Sequence, residues 1–304
     1  MTFDKVAVLK TLRNFEVGDN RKSLIISTGY LLAYLATLVL AVFCYSISPW
    51  LSSLTWIPMW LIFCKLFVFL HDSGHYSLFR SRRMNDIVCA ISGFLMLFPA
   101  AMWRKYHDSH HAVNGNLDRR PENPGVFILT VEEYQSASKM KQFSYRLMRS
   151  VYLRLILIPL GLFIIGRIPF PKMGTKIVLD VVIHNILYLG LFLILYQNGW
   201  LAAFGIIYII PLYALYVFAA LLFFLQHQYE DTYWAKDGEW DRHTAAAFGS
   251  SYMKFGPFMN WVTGFVGCHH IHHLNSRIPY YRLMSATESV EDCASSPKVE
   301  QNLR

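Results

Sequence analysis

Paired cysteines and charged residues are both scarce in this chain. Its five cysteines form no CxxC pair, so the sequence predicts neither a disulfide framework nor a thiolate metal site. Charged residues make up only 16% of the 304 residues, whereas hydrophobic residues make up 54%, a balance that excludes an ordinary soluble domain. The formal charge of +8 is spread over segments that flank apolar runs. This distribution favours the positive-inside rule over a nucleic-acid partner.

Four apolar segments are candidates for crossing a bilayer, and they cover residues 23–47, 54–70, 177–197 and 200–225. The short connections SPWLSS and QNGW within the two pairs contain no lysine or arginine. The sequence therefore predicts an all-α integral membrane protein with four transmembrane helices in two hairpins. Residues 1–22 then form a cytoplasmic N-terminal segment, and because they carry charge throughout, we expect no cleavable signal peptide.

Two further apolar runs, residues 87–102 and 151–166, are each too short for a confident span. A crossing by the first run would also place the histidine clusters on either side of it on opposite membrane faces. We therefore expect interfacial helices here. Residues 23–285 are predicted to form one domain, and the polar residues 286–304, which lack aromatic side chains, a disordered tail.

Three histidine clusters are the most informative feature of the chain. HDSGH contains His71 and His75. HDSHH and HHIHH each place three histidines at positions 0, +3 and +4, which share one face of a helix. The chain has 12 histidines, and eight of those in the clusters are expected to be metal ligands: His71, His75, His107, His110, His111, His269, His272 and His273.

The number of clustered imidazoles predicts more than one metal ion. Zinc takes four ligands and octahedral ions take six, so eight imidazoles imply two ions. His227, in the segment QHQYEDTYW, is a candidate ninth ligand. We expect nearby carboxylates to orient the imidazoles through hydrogen bonds. The candidates for this role are Asp72, Asp108, Glu230 and Asp231.

Three ionisable residues lie inside predicted spans. Lys65 could extend to the interface or pair with Asp72, which lies seven residues further on. Asp180 and His184 stand four residues apart, so they could form a simple pair or have a functional role. The sequence leaves both alternatives open.

The position of the histidines at a membrane surface favours chemistry on a lipid chain. A zinc hydrolase would need the glutamate of HExxH, and here the corresponding residue is Asp72. An apolar slot can hold an acyl chain without polar contacts, since each buried methylene contributes about 0.8 kcal/mol. Oxidation of unactivated C–H bonds then favours redox-active iron over zinc.

The boxes HDSGH, HDSHH and HHIHH, together with QHQYEDTYW and HHLNSRIPYYRL, resemble the membrane-bound fatty acid desaturases of the acyl-lipid type over about residues 55–283. The resemblance implies four transmembrane helices with a cytoplasmic cap, two iron ions, dioxygen and electrons from an external ferredoxin or cytochrome b5-type donor. It implies that the eight box histidines and His227 are ligands, whereas His270 lies off the shared helical face. It also implies an active site on the cytoplasmic face, in the plasma membrane if the protein is bacterial.

Other functions share these features. Hydroxylases and acetylenases of the same family keep the boxes, and the acyl group could be carried by a lipid, coenzyme A or an acyl carrier protein. A membrane metal-binding receptor or transporter without redox chemistry is the alternative from another class. Such a protein would line a route through its spans with ionisable residues, of which this sequence has few.

Overall fold

The computed structural model describes residues 3–123, 128–169, 173–291 and 300–301, and most of these residues are helical. In chain order, the helices are α1 (Lys5–Arg13), α2 (Asn20–Ile47), α3 (Trp56–Gly74), α4 (Arg82–Leu95), α5 (Ala100–Val113), α6 (Val131–Ser136), α7 (Lys139–Arg149), α8 (Val151–Ile165), α9 (Thr175–Gln197), α10 (Leu201–Phe204), α11 (Ile210–His227), α12 (Arg242–Phe248), α13 (Pro257–Thr263), α14 (His269–Leu274) and α15 (Leu283–Glu291). The strands β1 (Tyr252–Met253) and β2 (Glu300–Gln301) pair in parallel.

Four helical units are long and apolar enough to cross a membrane: Asn20–Ile47, Leu51–Gly74, Thr175–Gln197 and Leu201–His227. The second unit includes a 3-10 turn before α3, and the fourth joins α10 to α11 through a π-helical segment. These four units coincide, to within a few residues, with the four segments that we predicted to cross a membrane. The second unit is the most enclosed, with 56% of its apolar window buried against 17% for the first, so α3 lies at the centre of the bundle.

The apolar run at residues 87–102 was predicted as one interfacial helix, but the structure divides it between α4 and α5. The two helix axes meet at an angle of 103°. Leu97 has a positive φ of 53°, and Phe98 precedes Pro99, a position that disfavours helical backbone. Helices α7 and α8 meet at 64° in a similar bent pair.

The contact that Lys65 makes in the structure was not among those that the sequence indicated. It is buried within α3, and its Nζ donates a hydrogen bond to the backbone carbonyl of Trp261 in α13. The same Nζ lies 4.8 Å from the centre of the Trp261 ring. Lys65 therefore holds α13 against the central helix, and among the described residues it forms no ion pair with Asp72.

The C-terminal part of the chain is more ordered than we expected. Residues 286–291 belong to α15, which packs against α1 near the other end of the chain. Ala286 and Val290 are buried in the folded protein, and burial of these apolar side chains stabilises the helix. The prediction of a disordered tail for residues 286–304 is therefore wrong for residues 286–291. Residues 292–299 and 302–304 lie outside the described part of the chain.

Gly74, at the end of α3, allows α5 to approach closely. A Cβ atom at this position would overlap the indole ring of Trp103. That ring in turn stacks on His107, with ring centres 4.6 Å apart and planes inclined by 24°. The close approach thus positions a histidine of the second cluster beside the first cluster.

We expect Gly74→Ala to lower the free energy of unfolding by about 1–3 kcal/mol, because the indole must move to make room for the methyl group. Thermal unfolding in detergent micelles measures this effect. Gly29→Ala in α2 is the matched control, since its added Cβ would meet no atom within 4 Å. Equal unfolding temperatures for the two variants would contradict the close packing of α3 and α5.

Candidate metal centre

The structure brings the histidines of four helices into two adjacent groups. In each group, the possible ligand atoms all lie within 4.8 Å of one another. Group A contains His71, His75, His107 and His272, and group B contains His110, His227, His269 and His273. His111 adjoins group A, because its Nε2 lies 3.2 Å from Nε2 of His107 and 3.0 Å from Nε2 of His272. All nine predicted ligands therefore converge.

Helical spacing explains how short segments supply so many imidazoles. His71 and His75 lie one turn apart at the end of α3, and His227 is the last residue of α11. The +3 and +4 positions of α5 and α14 lie on one face of each helix. Both of these helices contribute to both groups: His107 and His272 belong to group A, whereas His110 and His269 belong to group B.

The nitrogen atoms of group B lie at metal-ligand spacing. The Nε2 atom of His227 is 3.0 Å from Nε2 of His110 and 2.8 Å from Nε2 of His269. The Nε2 atom of His273 is 3.2 Å from His110 and 3.1 Å from His269. Two imidazole ligands at right angles, each about 2.1 Å from a metal ion, have donor atoms about 3.0 Å apart.

Hydrogen bonds to the other ring nitrogen indicate which atoms carry lone pairs. Nδ1 of His227 lies 2.9 Å from the carbonyl oxygen of Gly249, and a carbonyl can only accept, so Nδ1 carries the proton. Its Nε2 atom then presents a lone pair to neighbouring imidazoles. Asp72 imposes the same tautomer on His71, with Oδ1 at 3.0 Å from Nδ1. A cation could bind between lone pairs that face one another at these distances.

Burial favours the neutral form of seven of these imidazoles. The side chains of group B are all buried, and removal from water lowers the pKa of His269 and His273 well below 6.5 and that of His110 to about 4. In group A and beside it, burial and neighbouring imidazoles lower the pKa values of a further four histidines, namely His75, His107, His111 and His272. Neutral imidazole is the form that binds metal ions.

Two side chains form hydrogen bonds that orient imidazoles of the two groups. Asp72 is buried, and its Oδ2 also accepts the backbone N–H of Tyr280 at 2.6 Å, which fixes the carboxylate. Asn123, also buried, accepts a hydrogen bond from Nδ1 of His110 at 2.9 Å. The sequence analysis missed Asn123, because it lies in a turn-rich segment without helical spacing to any histidine.

Three other carboxylates do not have the predicted orienting role in this structure. Asp108, Glu230 and Asp231 are exposed, whereas the imidazoles of group B are buried. Asp231 lies beyond the end of α11 in a turn with a positive φ of 63°, so nearness to His227 in sequence does not place it beside the ring. Asp108 is on α5, but its side chain faces solvent.

His270 is separate from both groups. Its ring lies against Tyr252, with ring centres 5.5 Å apart, and burial lowers its pKa to about 4. Its Nδ1 atom is buried without a hydrogen-bond partner among the described residues. The neighbouring residues His269 and His272 belong to the two groups, so the HHIHH segment directs its rings in different directions.

An apolar cavity of about 220 Å³ lies beside the histidines. Five imidazoles of the two groups line it, namely His71, His107, His110, His269 and His272. The rest of its wall is mainly apolar and comes largely from α3, α5 and α11, with Phe67, Trp103, Leu215, Ala219 and Phe223 among the lining residues. An apolar lining of this kind suits a hydrocarbon chain that reaches the imidazoles.

Comparison with known proteins agrees with this geometry. The family model described as fatty acid desaturase matches residues 47–300. The chain is similar to a fatty acid desaturase of Bacillus subtilis (strain 168), with 34% identity over 241 residues that cover 77% of this chain and 67% of that protein. It is also similar to an sn-1 acyl-lipid omega-3 desaturase (ferredoxin) of Synechocystis, with 29% identity over 93% of this chain and 80% of that protein. A protein of the same name from Nostoc is 27% identical over 81% of this chain and 70% of its own length.

We expect Asn123→Ala to weaken metal binding by roughly 10- to 100-fold, because His110 would lose the hydrogen bond that fixes its tautomer. Competition with a chelator measures this affinity in purified protein. Asn198→Ala is the control, since that exposed amide donates only to a carbonyl of its own helix. Unchanged affinity in the Asn123 variant would show that the hydrogen bond has no part in holding the imidazole.

Proposed function

Because the chain belongs to the fatty acid desaturase family, we propose that it uses two histidine-bound iron ions to introduce a double bond into an acyl chain of a membrane lipid. Membership of the family makes the protein an oxidoreductase that acts on fatty acids. The observation that carries this proposal is the convergence of nine imidazoles beside an apolar cavity that several of them line.

We assign one ion to group A together with His111 and the other ion to group B. The spacing of the Nε2 atoms and the lone pairs that they present support this assignment. When bound, the ions supply, with dioxygen and two electrons, the oxidation that removes one hydrogen from each of two neighbouring methylenes. This chemistry favours iron over zinc, which has no redox activity.

The chain itself binds the acyl chain, orients the imidazoles and excludes water from the cavity. The apolar wall holds the acyl chain, since each buried methylene contributes about 0.8 kcal/mol. Trp103 lines the cavity and stacks on His107, so it can position the substrate and this imidazole together. Asp72 and Asn123 hold two imidazoles in the tautomer that binds metal.

The relatives support a lipid-bound substrate and a ferredoxin donor. The Synechocystis and Nostoc proteins are named acyl-lipid desaturases with ferredoxin, and we propose the same substrate class and donor type for this chain. Coenzyme A or acyl carrier protein as carrier, and a cytochrome b5-type donor, are the alternatives. We place the site on the cytoplasmic face, because residues 48–50 and 198–200, which connect the paired spans, carry no lysine or arginine.

Product analysis tests the proposal. The protein is expressed in a bacterial host with its ferredoxin system, and the acyl chains of the host lipids are analysed by mass spectrometry. We expect a new alkene that is two hydrogens lighter than its precursor. An oxygenated or triple-bonded product without an alkene would instead support a hydroxylase or an acetylenase of the same family.

We expect His272→Ala to abolish desaturation and to lower the iron content, because this residue belongs to group A. His270→Ala is the matched control, since it removes a neighbouring buried imidazole that lies outside both groups. Product analysis and iron determination on the same preparations measure both effects. Equal losses in the two variants would show that the division of the HHIHH segment is wrong.

We also expect Ala219→Phe to reduce conversion of long acyl chains more than that of short ones, because the added ring would occupy part of the cavity. Competition between substrates of different chain length measures this preference. Ala33→Phe, at an exposed position of α2, makes the same change outside the cavity. An unchanged chain-length preference in the Ala219 variant would contradict the assignment of the cavity to the acyl chain.

A further inference from the structure

Helix α5, which carries three of the histidines, lacks a cap from its own segment. Its N-cap residue is Pro99, which makes no side-chain hydrogen bond to the helix. The first backbone N–H groups of a helix have no partner within the helix and need acceptors from elsewhere. A buried helix start without such acceptors would be unstable, and Ala100 and Met102 of the first turn are buried.

Asp180, in the third span, supplies an acceptor. Its Oδ2 atom lies 2.9 Å from the backbone nitrogen of Ala101, which donates the hydrogen bond. A carboxylate in this place has the chemistry of an N-cap residue, and it also lies at the positive end of the helix dipole. Residues far apart in sequence thus form a cap that sequence spacing alone could not indicate.

His184 and apolar packing hold this carboxylate in place. Nδ1 of His184 lies 2.8 Å from the backbone carbonyl oxygen of Asp180 and 3.3 Å from its Oδ1. Beside the cap, Val181 packs in one buried cluster with Phe98 and Met102. The contact between α9 and the start of α5 is therefore both polar and well packed.

The cap lies at one end of a helix whose other end holds metal ligands. His107, His110 and His111 follow Ala101 by six to ten residues, so they lie about 9–15 Å further along the helix axis. These residues contribute to both groups, and metal sites tolerate ligand displacements of only about 0.2 Å. A shift or fraying of the first turn of α5 would thus displace ligands of both ions.

We propose that Asp180 is a positioning residue for the metal centre, which acts by capping α5 and so sets the axial position of His107, His110 and His111. The inference rests on the proposed di-iron function. Asp180 itself belongs to neither group of imidazoles, and His184 acts behind it by restraining the carboxylate. The pair in the third span thereby has a defined role at histidines that lie about 9–15 Å further along α5.

The test compares four full-length variants with the wild-type protein in detergent. Asp180→Ala removes the acceptor, and Asp180→Asn keeps an oxygen that can accept the Ala101 N–H. The double variant Pro99→Ser with Asp180→Ala supplies a serine at the N-cap position, where its hydroxyl can accept from the same N–H. Asn185→Ala is the control, because this side chain on the same helix donates to the carbonyl of Arg167 and not to α5.

Three measurements are made on each preparation: hydrogen exchange of the first α5 amides, iron affinity by chelator competition, and the Mössbauer spectrum of the iron-loaded protein. For Asp180→Ala we expect faster hydrogen exchange, roughly tenfold weaker iron binding and a changed Mössbauer spectrum. The tenfold loss of affinity is the low end of the range for residues that orient metal ligands. Asp180→Asn and the double variant should regain most of the wild-type values, and Asn185→Ala should match the wild type throughout.

Wild-type exchange, affinity and spectrum in Asp180→Ala would overturn the inference, as would failure of both Asp180→Asn and the double variant to restore them. If Asp180→Ala does not accumulate, recovery of folded, iron-binding protein in the double variant still supports the cap, and no recovery contradicts it. Absence of iron from the wild-type protein would instead contradict the proposed function. Hydrogen exchange would still report on the cap in that case.

Discussion

Desolvated imidazole lone pairs that face one another are the interaction on which the structure depends. His227 presents such a lone pair on Nε2, because its Nδ1 carries the proton and donates a hydrogen bond to the carbonyl oxygen of Gly249. The nearest Nε2 atoms are only 2.8 and 3.0 Å away. Burial keeps the neighbouring rings neutral, so they cannot relieve this crowding by becoming charged. A cation bound between the rings would accept the facing lone pairs and remove their repulsion. The fold around the histidines serves to hold the rings in this arrangement.

The four apolar spans and the polar cap have complementary parts in this arrangement. The central span ends in two of the clustered histidines, His71 and His75, and it lines part of the apolar cavity. Helix α11 lines the same cavity and ends in His227. The same helices thus line the cavity and supply imidazoles to both groups. In the proposed function, the elements that would bind the acyl chain are therefore also elements that would hold the metal ions.

The helices and the faces that carry the histidines could be predicted from the sequence, whereas the tertiary contacts that divide the histidines into groups could not. Helical spacing put the histidines of HDSHH and HHIHH on common faces, and uncharged connections indicated the two hairpins. Division into groups depends on tertiary packing, because α14 sends His272 to one group and His269 to the other. Asn123 has no periodic relation to His110, and Asp180 caps a helix 79 residues away in sequence. Nearness in sequence also misled, since Asp108 and Asp231 are exposed.

We propose that each group of imidazoles holds one iron ion. Anomalous scattering from crystals of the purified protein, measured on both sides of the iron absorption edge, tests this most directly. We expect two iron peaks, one enclosed by His71, His75, His107, His111 and His272 and the other by His110, His227, His269 and His273. A single peak, or peaks that respond at the zinc edge and not at the iron edge, would contradict it.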